Sequence, residues 1–112
     1  MLGVVNFCGY SGGSFQFSKM AEDSDWARAP GVVLFAAPEG RSWRIISVAE
    51  QSGAEGDVGA FWRWREARRY GATTIFIRRE RDLARRAMAV SDLNAGLDPV
   101  CVTGCEQPRM AA

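Results

Sequence analysis

The chain has 112 residues, enough for one domain around a single hydrophobic core and too few for two ordinary domains. Apolar residues make up 47% and charged residues 24%, a balance that excludes an intrinsically disordered chain, and every apolar run is far shorter than the roughly 20 residues of a membrane-spanning helix. The net charge is +1, and the absence of histidine excludes serine–histidine and cysteine–histidine catalysis.

The first half of the chain predicts two β-hairpins. Residues 4 to 8 and 14 to 18 are short β-prone runs, separated by a glycine-containing turn at 9 to 13. Residues 20 to 30 are polar and end at a proline, so we predict a loop there. A buried strand at 31 to 36, a turn at 38 to 40 and a strand at 43 to 49 should form the second antiparallel hairpin.

The second half predicts a helix, a strand and a second helix. The first helix covers residues 57 to 70, ends at Gly71, and places four apolar residues on one side: Ala60, Phe61, Trp64 and Ala67. Its residues Trp62, Arg65 and Arg69 share a separate arc. A strand at 72 to 77 follows.

The second helix is predicted from residue 80 to about residue 95 and should end at Gly96 and the following Asp98-Pro99. Its apolar stripe is predicted at Leu83, Ala87 and Val90. Because the strands pair through hairpins and the helices lie outside the sheet, we predict an α+β fold. Its small central antiparallel sheet should be flanked by helices and carry an extra N-terminal β-hairpin.

The three cysteines favour reduced thiols over a disulfide framework, because their number is odd and the N-terminus has no secretory signal. Cys101 and Cys105 could supply two zinc thiolates, but Cys8 is the only other cysteine and histidine is absent. We therefore expect no metal and no other cofactor. A cytoplasmic protein without a membrane partner is expected, and the oligomeric state is left open.

The positive charge is concentrated in one segment. Residues 61 to 90 contain nine arginines and three acidic residues, whereas the first sixty residues contain four basic and seven acidic ones. A basic segment within a nearly neutral chain is typical of a protein with an anionic partner.

Two stretches resemble a known family. The chain resembles the GIY-YIG endonuclease superfamily in two segments, E-A-R-R-Y-G-A-T-T-I-F-I at 66 to 77 and S-D-L-N-A-G-L-D-P-V at 91 to 100. The order of its elements from Pro30 onward resembles that family as well. The resemblance is to its small bacterial branch, in which one such domain makes up nearly the whole protein. It implies a GIY-YIG-like domain at residues 30 to 100, a hairpin and loop extension at 1 to 29, and a tail at 101 to 112.

The resemblance also implies that the family's chemistry is missing. The positions of its two tyrosines, its arginine, its metal-holding glutamate and its asparagine are occupied by Val33, Ser47, Glu55, Val90 and Asp98. Valine cannot hold a cation, and a glutamate repels the phosphate that an arginine should attract. We therefore expect no catalytic residues. We expect Val90 to fill the core, and the alternative is that it lines an apolar cleft for a partner. Glu50 or Asp92 as substitute metal ligands remain the basis of a less favoured alternative, a divergent active nuclease.

The remaining signal is the combination of arginine and tryptophan, which can bind phosphates and stack on bases. Our first hypothesis is a non-catalytic module that binds nucleic acid, with DNA as the favoured partner. The alternative is a protein–protein interaction or assembly module, since interface hot spots have the same composition. The residues predicted to bind nucleic acid are Trp62, Arg63, Arg65, Arg68, Arg69, Arg78, Arg79, Arg81 and Arg85.

Overall fold

Two helices cover opposite faces of a five-stranded antiparallel sheet in the computed structural model, which describes residues 3–55 and 58–100. The predicted α+β fold is confirmed. The elements in chain order are β1 (Val4–Cys8), β2 (Ser14–Met20), β3 (Gly31–Glu39), β4 (Ser42–Gln51), α1 (Gly59–Arg69), β5 (Thr74–Arg79) and α2 (Leu83–Leu97). None of the helices in these described ranges is long and apolar enough to cross a membrane.

The sheet order is β1-β2-β5-β3-β4, and every neighbouring pair is antiparallel. β5 is the last strand of the described residues and pairs with β2 on one side and β3 on the other. It therefore joins the two predicted hairpins into a single sheet. The N-terminal hairpin is continuous with the rest of the sheet, and the proposed division of the chain after residue 29 stays a prediction.

The two faces of the sheet carry two separate apolar clusters. On β3, Val33 and Phe35 point toward α1, while Val32 and Leu34 point toward α2. Alternation along a strand sends successive side chains to opposite faces, so a continuous apolar run is expected in a strand that is covered on both sides. The run that begins at Gly31 has this composition.

The N-terminal hairpin is covered on one face only. Phe7 and Phe17 are buried on the α2 side, with their rings 5.6 Å apart in an edge-to-face arrangement. Their neighbours Asn6 and Gln16 lie opposite each other on the other face and are exposed. The hairpin thus has the alternation of a half-buried antiparallel sheet.

The predicted loop at residues 20 to 30 contains a core residue. It includes a short 3-10 helix, Trp26–Arg28, and the Trp26 side chain is 1% exposed. The Trp26 ring packs edge-to-face against Phe35 and Trp64, with centroids 5.7 Å and 6.4 Å away. The prediction of a plain polar loop was therefore incomplete, because a single tryptophan among polar residues produces no periodic pattern.

α1 follows its prediction except at one residue. Ala60, Trp64 and Ala67 are buried, and the helix ends before Gly71, which has a φ of 104°. Phe61 was predicted on the same apolar side, but its side chain is 55% exposed. Phe61 lies at the margin of the cluster, where its ring contacts Trp26 at a centroid distance of 5.5 Å.

The predicted apolar stripe of α2 was wrong at two of its three positions, since only Val90 packs against the core. Leu83 and Ala87 are exposed, whereas the buried residues are Arg86, Ala89 and Leu93. The true stripe has helical spacing, but a charged residue occupies its first position. Because Arg86 is charged, the pattern of apolar residues did not show which side of α2 is buried.

The predicted end of α2 was wrong for Gly96 and confirmed for Asp98. Gly96 lies inside the helix, and a Cβ atom there would collide with the backbone of Gly9 and Tyr10. The glycine therefore permits close contact between α2 and the β1–β2 loop. The helix ends at Leu97, with Asp98 in the left-handed conformation at a φ of 51°.

Candidate nucleic-acid interface

The positions that the resemblance assigns to catalysis lie on both sides of the sheet. Val33 is buried on the α1 side, and Ser47 faces the same side because it lies opposite Phe35 in the β3–β4 register. Val90 lies on α2 and packs, half-buried, against the cluster on the other side. The sheet separates Val90 from Val33 and Ser47, so these three positions do not line one cleft.

The other two family positions have local contacts. The exposed carboxylate of Glu55 lies 3.5 Å from the guanidinium of Arg28. Asp98 forms the C-cap of α2. In the described part of the chain, Glu55 therefore belongs to a surface ion pair and Asp98 ends a helix.

The two residues considered as substitute metal ligands, Glu50 and Asp92, already contact other side chains. Glu50 lies 3.8 Å from the buried guanidinium of Arg86, and both carboxylate oxygens of Asp92 accept hydrogen bonds from Ser11, at 2.8 Å and 2.7 Å. Across residues 3–55 and 58–100, no three histidine, cysteine, aspartate or glutamate side chains are grouped closely enough to hold a metal ion. Cys8 is an exposed free thiol, while Cys101, Cys105 and the predicted tail lie outside the described residues.

Five of the residues predicted to bind nucleic acid lie on α1, where Trp62 and Arg65 form an exposed pair. The Trp62 side chain is 61% exposed, and the guanidinium carbon of Arg65 lies 5.4 Å from the centroid of its ring. Trp62 belongs to neither of the two apolar clusters of the described residues. A large aromatic ring that carries a cation on one face can stack on a base or bind a protein partner.

The other three α1 arginines are less free to meet a ligand. Arg68 lies over the buried Trp64 and pairs with Glu22 at 3.3 Å, and Arg69 pairs with Glu66 at 3.7 Å. Arg63 is half-buried, and its Nη1 atom is buried without a hydrogen-bond partner among the described residues. Contacts within the fold, or partial burial, therefore limit how far these three arginines can reach a ligand.

The remaining four predicted residues form what we call the cationic end, made of Arg78, Arg79, Arg81 and Arg85. They lie where β5 finishes and α2 begins, next to the start of β3, because Arg79 is opposite Gly31 and the N–H of Glu80 donates to the carbonyl of Pro30 at 2.9 Å. Consecutive strand residues face opposite sides, so Arg78 points to the α2 face and Arg79 to the other.

The arginines of the cationic end have no carboxylate partner among residues 3–55 and 58–100. In the described part of the chain, side-chain ion pairs join Arg28, Arg68, Arg69 and Arg86 to carboxylates, and none involves the four residues of the cationic end. Two acidic residues do lie between them. Glu80 accepts a hydrogen bond from the backbone N–H of Asp82 at 3.1 Å, and Asp82 caps α2 by accepting from the N–H of Arg85 at 2.9 Å.

A cleft of about 730 Å³ lies beside the cationic end, between the β1–β2 loop, β5 and α2. We call it the α2 cleft. Arg78 and Arg85 belong to its lining, and the guanidinium carbon of Arg78 lies 5.4 Å from the ring centroid of Phe15, which also lines it. Tyr10 and Met88 are strongly exposed at its margin, at 80% and 71%. The cleft thus combines cationic and large apolar side chains.

The sheet divides the nine predicted residues into two groups. The group on α1 covers one face, and the cationic end lies at one end of the sheet, with Arg78 and Arg85 turned into the cleft on the opposite face. Sequence reasoning did not find Tyr10, Phe15 or Met88. The hydrogen bonds from Ser11 to Asp92 bring together residues 81 positions apart, and no local pattern reveals such a contact.

Neither a family model, nor a curated protein, nor a solved structure matches this chain. The resemblance to the GIY-YIG superfamily therefore stays a proposal that rests on the wording of the sequence.

Proposed function

We propose that this protein is a non-catalytic nucleic-acid-binding module, with DNA as the first partner to test. The observation that carries the proposal is the cationic end: four arginines lie close together in the chain and the fold without a carboxylate partner among the described residues. Unpaired guanidinium groups are suited to phosphate, because their planar N–H groups can donate two hydrogen bonds to one anion.

The arrangement of the charges supports contact with a backbone that passes across the end of the sheet. Arg78 and Arg79 face opposite sides of β5, and Arg81 and Arg85 continue the basic surface onto the start of α2. A backbone that crosses this end would meet positive charge on both sides of the sheet. Contacts of this kind give affinity without base specificity.

The test is a titration of labelled single-stranded and duplex DNA at two salt concentrations. If the four arginines each neutralise one phosphate, the logarithm of the affinity should fall with the logarithm of salt concentration with a slope of about −3 to −4. An absence of binding at low salt contradicts the proposal. Magnesium and manganese should be included and the DNA examined on a gel, because metal-dependent cleavage that survives purification controls contradicts the non-catalytic part.

A matched pair of variants identifies the surface. Arg79→Gln with Arg81→Gln should weaken binding at low salt and reduce the slope by about two. Arg41→Gln with Arg44→Gln removes the same charge near the β3–β4 turn, at the other end of the sheet, and should change the slope little. Equal effects from the two pairs would indicate a diffuse attraction and not a contact at the cationic end.

A protein-interaction role is the second candidate, and one observation favours it. Val58, Phe61 and Trp62 lie together at the start of α1 and are 59%, 55% and 61% exposed. An exposed group of apolar side chains on one helix is typical of an interaction surface. Binding through this surface should respond far less to salt than binding through phosphates, so the same titration format with a protein partner separates the two roles.

A further inference from the structure

We propose that the α2 cleft receives one unpaired base of a single-stranded nucleic acid, so that the protein prefers single strands to duplexes. This inference rests on the proposed function and adds the form of nucleic acid that is bound. It also assigns a role to Tyr10, Phe15 and Met88, which lie outside the predicted arginine and tryptophan set.

The cleft has the dimensions of a small-molecule site. Its volume of about 730 Å³ lies within the roughly 300–1,000 Å³ that is typical of ligand pockets in proteins. It opens next to the cationic end, and Arg78 and Arg85 belong to both. A nucleotide could therefore place its base in the cleft while the adjoining phosphates remain at the arginines.

The wall of the cleft offers flat and polarisable surfaces to a base. Phe15 is half-buried with the Arg78 guanidinium 5.4 Å from its ring centroid, so a planar cation backed by an aromatic ring lines the cleft. Bases in single-stranded RNA and DNA stack on aromatic rings and on arginine planes. Tyr10 and Met88 add two exposed apolar surfaces at the margin.

The lining of the cleft contains two arginines, Arg78 and Arg85, and two carboxylates, Glu80 and Asp92. Both oxygens of Asp92 accept hydrogen bonds from Ser11, and Glu80 accepts one from the Asp82 N–H. The Arg78 Nη1 donates to the Gln16 carbonyl at 3.3 Å, and neither Arg78 nor Arg85 has a carboxylate within ion-pair distance in the described ranges. The cationic groups thus remain able to bind phosphate.

The backbone of the β1–β2 loop, which carries Tyr10, is held against α2 before any ligand arrives. The Tyr10 N–H donates to the Asp92 carbonyl at 3.0 Å, and the Ser11 N–H and hydroxyl donate to the Asp92 carboxylate. Gly96 allows α2 to approach the loop closely. A preformed wall of this kind reduces the entropy lost on binding.

The preference for single strands follows from access to the base. In a duplex the base is stacked and paired, and its extrusion costs a few kcal/mol before it can enter a pocket. In a single strand this cost is largely absent. Binding through the phosphates alone favours the duplex, because its charge density is higher. A preference for the single strand therefore distinguishes use of the cleft from use of the cationic end alone.

The experiment measures the affinities of a labelled 12-nucleotide oligothymidylate, the corresponding duplex and thymidine monophosphate for the full chain. The single strand should bind at least about tenfold more tightly than the duplex, and the mononucleotide more weakly than the single strand. Tyr10→Ala with Met88→Ala should weaken single-strand binding by roughly 5- to 100-fold, the range expected from the loss of base stacking.

Leu83→Ala is the matched control, because Leu83 is exposed on the same helix outside the cleft. It should leave the affinity unchanged, and thermal melts should show that all variants are folded. Equal binding of single strand and duplex, or no effect of the double substitution, overturns the use of the cleft while leaving the proposed function intact. Mononucleotide binding as tight as that of the single strand overturns the choice of ligand, and no binding of any nucleic acid at low salt overturns both proposals.

Discussion

Arg86 is a charged residue in a core position. It is 5% exposed, its Nη1 donates to the Gln51 carbonyl at 2.7 Å, and its Nη2 donates to the Arg81 carbonyl at 3.4 Å. The Glu50 carboxylate lies 3.8 Å from its Nε. The side chain ties the first turns of α2 to the end of β4 and to the loop before the helix. Its guanidinium group therefore bonds to groups within the fold.

Arg86→Ala should lower the free energy of unfolding by about 2 to 3 kcal/mol, because it removes a charged hydrogen bond to the buried Gln51 carbonyl and leaves a cavity. Arg85→Ala removes the same side chain one residue earlier, from an exposed position. That control should change stability by less than about 0.5 kcal/mol. Urea denaturation monitored by tryptophan fluorescence measures both, and similar values for the two variants would contradict a structural role for Arg86.

The sequence alone could not show that Arg86 is buried and Arg85 exposed. Nine arginines lie between residues 61 and 90, and their chemistry is the same in the sequence. Which guanidinium meets a backbone carbonyl depends on the position of Gln51 at the end of β4. That position is a property of the assembled sheet. For the same reason, the sequence predicted the surplus positive charge of residues 61 to 90. It could not predict which of these arginines bond within the fold and which remain exposed.

At the scale of single elements, α1 has two aromatic surfaces with different roles. Trp64 is 6% exposed and packs against Phe35 at a centroid distance of 5.0 Å, whereas Trp62 projects away from the core with Arg65 over its ring. The helical period of 3.6 residues places positions two apart on different sides of a helix. One tryptophan therefore belongs to folding and the other is available for binding.

Trp62→Ala with Arg65→Ala should leave the melting temperature nearly unchanged and weaken binding of any partner that uses α1. Trp64→Ala is the matched control and should cost about 3 to 5 kcal/mol, the usual loss for a buried aromatic residue truncated to alanine. Differential scanning calorimetry of the purified variants measures the effect. A large fall in stability from the double substitution would mean that this surface is part of the core.

The elements themselves were largely predictable because each carries its own pattern. Alternation indicated β2, a continuous apolar run indicated β3, and an apolar stripe closed by Gly71 indicated α1. α2 was predicted as a helix with the wrong buried side, since Arg86 stands where an apolar residue is expected. Trp26 was missed because its burial depends on α1 and β3, which are distant in the chain.

For the whole molecule, the N-terminal segment supplies large parts of both apolar clusters. Phe7 and Phe17 belong to the α2 side and Trp26 to the α1 side, and β2 provides the hydrogen-bonding partner of β5. Without this segment one edge of β5 would be unpaired and Phe76 would lose the edge-to-face contact with Phe7, at a centroid distance of 5.2 Å. Unpaired apolar edges of this kind favour aggregation.

A chain that begins at residue 30 should therefore show no cooperative thermal transition and should aggregate. Circular dichroism melts and size-exclusion chromatography measure the two properties. In the full chain, Phe7→Ala should cost about 3 kcal/mol or more, while Asn6→Ala, on the open face of the same strand, should cost little. Cooperative unfolding of the shortened chain would instead support an independent domain at residues 30 to 100.

The candidate site was only partly predictable at this scale. The sequence indicated a basic segment and therefore an anionic partner, and four of its arginines do gather at one end of the sheet. The α2 cleft depends on the β1–β2 loop meeting α2, where Ser11 bonds to Asp92, 81 positions later. A pairing over that distance is set by the strand order, which local patterns do not specify.

The central position of β5 determines when the sheet can be completed during synthesis. The N-terminal hairpin (β1 and β2) and the second hairpin (β3 and β4) emerge from the ribosome first. They cannot join each other until residues 74 to 79, which form β5, have been translated. Until then each hairpin keeps an edge that lacks its final partner, and folding must wait for contacts between distant parts of the chain, which form slowly. The nascent protein should therefore depend on protection from association during this interval, when its apolar strands are exposed on the ribosome.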